Sequence, residues 1–135
     1  MGQQQLLLII LGVIVVGIAV AVGITMFADN AVSSNRDAVT NDLVNLASRA
    51  QQFYRRPTAL GGGQGSFVGL TANAAGMARL TTKGTNANGT YTISVAGSAT
   101  NVALQGLGTE NGSDGSSIKV TMTVYADSTS VVFAN

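Results

Sequence analysis

The chain has 135 residues, 46% of them hydrophobic and only 10% charged, with a net charge of +1. A balance so weak leaves no electrostatic footprint for nucleic acid or for an acidic surface. The sequence holds neither histidine nor cysteine, which removes the usual general base near neutral pH, the thiolate nucleophile, most transition-metal sites and every disulfide, so neither an enzyme nor a cofactor is expected.

The first element is Leu6–Ala28, LLLIILGVIVVGIAVAVGITMFA, 23 residues without a charge. As a helix it spans about 35 Å, enough for roughly 30 Å of bilayer hydrocarbon. The preceding Met1–Gln5 has no lysine or arginine, whereas a secretory signal peptide opens with a basic region and has a shorter apolar stretch. Ala19-Val20-Ala21 is a formal cleavage site, but the apolar run continues past it, so a membrane helix is the better reading.

The next segment, AVSSNRDAVTNDLVNLASRAQQFYRRP, repeats Val32, Val39, Leu43, Leu46, Ala50 and Phe53 at helical spacing. That spacing predicts a one-sided helix. Arg55 and Arg56 suit its last turn, and Pro57 stops it, because the residue before a proline resists helical geometry. With no proline before Pro57, residues 1–28 and 29–56 are expected to form one unbroken helix, with Gly12, Gly17 and Gly23 as its weak points.

Residues 57–87 read as a connector. Gly61, Gly62, Gly63 and Gly65 look too flexible for regular structure, and a phosphate loop would precede a helix and carry a lysine. Phe67, Val68 and Leu70 read as a short strand or plug, and 71–77 as a brief helical turn. From Asn88 the period changes to two. Four antiparallel strands are expected over 90–96, 101–107, 117–126 and 130–134, with Tyr91, Ile93, Val95, Ile118, Val120, Met122 and Val124 inward. The opposite face is mostly Thr, Ser and Lys, so one side packs and the other meets water. The fold class is therefore α+β: a long N-terminal helix with a small four-stranded antiparallel β head, residues 88–135, packed on its C-terminal half.

Within the head, Glu110-Asn111-Gly112-Ser113-Asp114 offers oxygen ligands, but calcium takes six to eight of them, and two carboxylates favour a plain strand connection. Asn88-Gly89-Thr90 and Asn111-Gly112-Ser113 fit the N-glycosylation acceptor pattern, while Asn-Gly is also a turn dipeptide. The seven aromatic residues are sparse and read as core and interface fillers rather than as an electron path.

The Gly2-Gln3 junction, followed by LLLIILGVIVVGIAVAVGI and then a polar amphipathic helix, resembles the type IV pilin superfamily, including its archaeal-like branch. The resemblance covers residues 1–56 well and the remainder only as a small β-rich head. It implies cleavage after Gly2 by a prepilin peptidase to free Gln3, N-methylation of the new terminus in bacterial members, and handling by an inner-membrane assembly machinery. It implies, too, a homopolymer of identical subunits, resident in the cytoplasmic membrane before assembly and at the cell surface as an extracellular filament afterwards, serving adhesion, attachment or motility. Met1 remains the alternative mature terminus.

Three features depart from the family pattern. Many bacterial pilins place a glutamate fifth in the mature chain; here that position is Gln5 or Leu7, and Asp29 is the first carboxylate. A buried terminal amine would then rely on the amide oxygens of Gln3, Gln4 and Gln5 or on free carbonyls. The helix lacks an internal proline, and the head lacks a disulfide loop.

Outside the membrane, so long an apolar helix needs burial among its own copies. A head-to-tail contact that does not close gives a helical polymer, with Leu6, Ile10, Ile14, Val16 and Val20 as expected filament-core residues. Two other readings use the same residues differently: a membrane-tethered pseudopilin or single-pass anchored β module, whose helix touches lipid, and a secreted binding protein whose first segment is removed.

Overall fold

The computed structural model describes residues 2–134. Helix α1 runs without interruption over Gly2–Arg55, about 80 Å at the standard rise. A 3-10 turn at Thr58–Leu60 and the short helix α2, Ala74–Ala78, lead to four strands: β1, Gly89–Val95; β2, Asn101–Asn111; β3, Ser117–Tyr125; and β4, Thr129–Ala134. They form one antiparallel sheet in the order β1-β2-β3-β4, with the C-terminal half of α1 against β2 and β3.

The core is the expected stripe against the expected face. Val39, Leu43, Leu46, Ala47, Ala50 and Phe53 of α1 are buried together with Tyr91, Ile93, Val102, Leu104, Ile118, Val120, Met122 and Val124. Val32 is only partly buried at its upper edge. Val39 sits so close to β2 that a Cβ on Gly106 would lie 2.6 Å from its Cγ1, so the crossing needs glycine there. From the connector, Phe67, Leu70, Met77 and Leu80 fold into the same core. Phe67 and Leu70 are the anticipated plug, whereas Val68 between them is exposed.

Two strand expectations need correction. Val95 was expected inward with Tyr91 and Ile93, yet it is exposed. The register shifts between Ile93 and Val95, so Val95 pairs with Ala103 after Ile93 has paired with Leu104; the extra residue is a β-bulge that turns Val95 to the outer face. Strand β2 also continues to Asn111, beyond the expected Leu107, leaving Glu110 and Asn111 in a strand rather than in a loop. A second register shift between Leu107 and Asn111 hid the alternation there.

The glycine-rich segment is an ordered cap. The last helical carbonyls lack intrahelical partners, and the connector supplies donors: Gly63 N–H to Phe53 at 2.8 Å, Gln64 N–H to Arg56 at 3.0 Å and Gly65 N–H to Tyr54 at 2.7 Å. A Cβ on Gly62 would stand 2.2 Å from the Arg56 carbonyl oxygen. Gly62 and Gly63 are required for close approach, while Gly61, at φ 77°, supplies the left-handed turn after Leu60 and Gly65, at φ 84°, a second one.

Candidate assembly surface

Between Leu6 and Phe27, sixteen large apolar side chains are each more than half exposed, from Val22 at 52% to Phe27 at 79%. Among the described residues, nothing in the head covers them. Leu6, Ile10 and Ile14 follow one another at i, i+4 spacing, as do Val16 and Val20, so the residues expected in a filament core form ridges on the bare helix. Thr25 keeps the surface apolar by donating its hydroxyl to the Ala21 carbonyl at 3.0 Å, the internal pairing that lets a hydroxyl sit in an apolar stretch. The segment is long and apolar enough to cross a membrane, and it is compatible with membrane association.

Gly2 and Gln3 lie in the first turn of α1, which holds no acidic residue; Met1 lies outside the described residues. The glutamine side chains of Gln3, Gln4 and Gln5 are exposed, available to whatever meets that end.

Two polar residues on the flank of α1 lock it to the head. Asp42 is half-buried, and its Oδ2 accepts hydrogen bonds from Asn86 Nδ2 at 2.9 Å, Asn88 Nδ2 at 3.0 Å and the Tyr91 hydroxyl. Burial alone would raise this carboxyl, but the bonds from Asn88, Tyr91 and Asn86 outweigh it and hold Asp42 below the ordinary aspartate value. Burial, then the hydrogen bond to Asp42 and its charge, push the Tyr91 hydroxyl well above its usual range.

One turn pair earlier, Asn35 donates from Nδ2 to the Asn88 carbonyl at 2.8 Å, while its Oδ1 accepts the Thr109 N–H at 3.0 Å and the Glu110 N–H at 3.2 Å. It therefore serves backbone donors beside the irregular stretch of β2. A Cβ on Gly108 would fall 2.1 Å from Asn35 Oδ1. Sequence reasoning missed both residues. The one available signal was their spacing of seven, which stacks them on one side of the helix beside the core stripe.

The two glycosylation patterns occupy different surroundings. Asn88 is half-buried, and the amide nitrogen to which a glycan would attach is held by Asp42. Asn111 is exposed at the end of β2. Beyond it, Asp114 accepts from the Ser116 N–H at 2.9 Å and the Ser116 hydroxyl at 2.7 Å. These two bonds lower its pKa and use the carboxylate to shape the hairpin. Among the described residues, no group of three or more Asp, Glu, His or Cys is placed to hold a metal ion.

A groove of about 390 Å³ lies between α2 and β1, lined by Met77, Thr81, Thr85, Thr90, Thr92 and Ile93 among others, with no carboxylate or cationic side chain in its lining. No family model, curated protein or solved structure matches this chain.

Proposed function

We propose that this protein is the structural subunit of a type IV pilus-like helical filament, held in the cytoplasmic membrane before assembly and built into a cell-surface fibre through residues 6–28. The observation that carries the reading is the bare apolar half of α1, rigidly continuous with the half that anchors the head. Sixteen exposed large apolar side chains make a surface well beyond the roughly 300–600 Å² of the largest patch on a typical monomer. Lipid covers it in a membrane; outside one, identical helices are the available cover. Because the head sits at one end of the stalk, a bundle of stalks leaves heads outside. A non-closing head-to-tail contact then extends without limit.

In this reading the peptidase site is Gly2-Gln3, and adhesion, attachment or motility belongs to the polymer. Ile14→Asp tests it, since every copy in a bundle would bury an unpaired carboxylate. Sheared surface fractions should contain wild-type filaments and none of the variant, with the variant retained in the membrane fraction by immunoblot. Normal filaments from Ile14→Asp would refute the proposal in favour of a tethered module.

A further inference from the structure

The net charge of +1 conceals a separation of signs along the axis of α1. Where the stalk enters the head, Asp29 and Asp37 of α1 and Glu110 and Asp114 at the β2–β3 connection outnumber Arg36 and Lys119. Asn35 brings that connection to this end by accepting the Thr109 and Glu110 N–H groups. At the far end, Arg55, Arg56 and Arg79 outnumber Asp127. Arg55 reaches the Ala126 carbonyl at 3.4 Å, and Arg79 lies over the Phe53 ring, 5.9 Å from its centre, so these cations gather around the last turn of the helix.

The two ends also differ in relief. At the stalk end, a cleft of about 470 Å³ opens between α1 and the β2–β3 connection, lined by Ala28, Asp29, Val32, Ser33 and Arg36 on one side and by residues 111–113 on the other. At the far end, Leu60 completes the 3-10 turn that follows Pro57. It is 70% exposed, more than any leucine of the stalk. The turn beneath it is pinned, because the Leu60 and Gly62 N–H groups both donate to the Pro57 carbonyl, at 3.0 and 3.1 Å, and the Thr58 hydroxyl donates to Gln64 Oε1 at 3.0 Å. Single exposed leucines are common. This one is held in place, sits among cations, and lies at the opposite pole from an acidic cleft floored by Ala28 and Val32.

We propose that Leu60 of one copy seats in the stalk-end cleft of the next, so that heads stack end on end with their stalks pointing the same way. Two arguments select a second copy of this chain as the occupant. The surplus of carboxylates around the cleft faces the surplus of guanidinium groups around Leu60, and only a partner of the same sense along the axis brings unlike ends together; reversed copies would meet like with like. A chain that is nearly neutral in total but polar along its length is complementary to itself. The second argument is symmetry. Knob and cleft lie on different ends of one molecule, so their contact is heterologous and repeats by translation instead of closing into a dimer.

The contact deepens the filament reading, on which its parallel stalks rest, by naming the head surfaces that meet. It also fixes a distance. The two surfaces lie at opposite ends of the half of α1 that carries the head, residues 29–55, so stacked copies are displaced along the axis by about 40 Å. Copies resident in one membrane share a single depth and cannot make this contact; copies drawn out into a fibre can.

The natural absence of cysteine allows a clean cross-linking test on the full-length chain. Ser33 and Leu60 are both exposed, and within one chain they stand too far apart for a disulfide, which needs Cα atoms within about 7 Å. Sheared filaments of the double variant Ser33→Cys/Leu60→Cys, mildly oxidised, should run on a denaturing gel as a ladder of dimers, trimers and longer species. Each single variant should stay monomeric, and so should the double variant oxidised in the membrane fraction. Filaments seen by microscopy without a ladder beyond the single variants would overturn this contact and leave the filament reading standing. A ladder as strong in the membrane fraction as in filaments would also overturn it, because the 40 Å displacement would then be wrong. Neither filaments nor a ladder would overturn both.

Discussion

At single-residue scale, Asp42 and Asn35 add directional hydrogen bonds to the apolar stripe that seats α1 on the sheet. Because the Asp42 carboxyl is held below its ordinary value of 3.8 by its three donors, its contribution is fully present above that value and is lost as pH falls through the lower folded-state value. Denaturant titrations stepped downward through this range should show a falling stability in the wild type and a flatter profile in Asp42→Asn. An identical acid limb in both would show that the cluster carries no such linkage. Asn35→Ala removes three hydrogen bonds at once and is expected to cost about 1–2 kcal/mol, since the freed backbone groups are exposed enough to find water. Thermal melts followed by the β-sheet signal would measure it. The sequence does not disclose this pair in advance, because a polar residue beside an apolar stripe looks the same whether it faces water or a backbone amide. The Asn88 and Asn111 patterns likewise read alike until Asp42 is found on one of them.

At the scale of elements, the head was legible wherever one physical rule acted alone. The step from a period near 3.6 to a period of two located α1 and all four strands, and Pro57 marked the helix end to within one or two residues. The misreadings fall where two requirements compete: the bulge that turns out Val95, the irregular end of β2, and the glycine run that binds helix carbonyls instead of hanging loose. A run of glycines signals freedom, and only the neighbouring backbone shows that the freedom is used for close approach. Gly63→Ala tests this, because its Cβ would stand 1.8 Å from the Ser66 carbonyl oxygen. The backbone must shift, and a loss of about 2 kcal/mol or more is expected by chemical denaturation; an unchanged midpoint would mean that the cap is dispensable. For comparison, Leu43→Ala at the fully buried centre of the stripe should cost about 2–5 kcal/mol.

For the whole molecule, the division of labour follows from where apolar surface is covered and where it is not. The head covers the stripe from Val39 to Phe53, while among the described residues nothing covers the stalk from Leu6 to Phe27. A cylinder apolar on every side belongs in lipid or among helices like itself, and one chain with such a stalk and a water-facing head suits both environments in turn. The most direct test is cryo-electron microscopy with helical reconstruction of filaments sheared from cells expressing the wild-type chain. The account predicts continuous helical density along the axis that fits residues 6–28 packed against symmetry copies, with Ile14 in inter-subunit contact and the four-stranded heads forming the outer surface. A filament axis built from heads, or a wild-type chain recovered only as a lipid-embedded monomer, would contradict it.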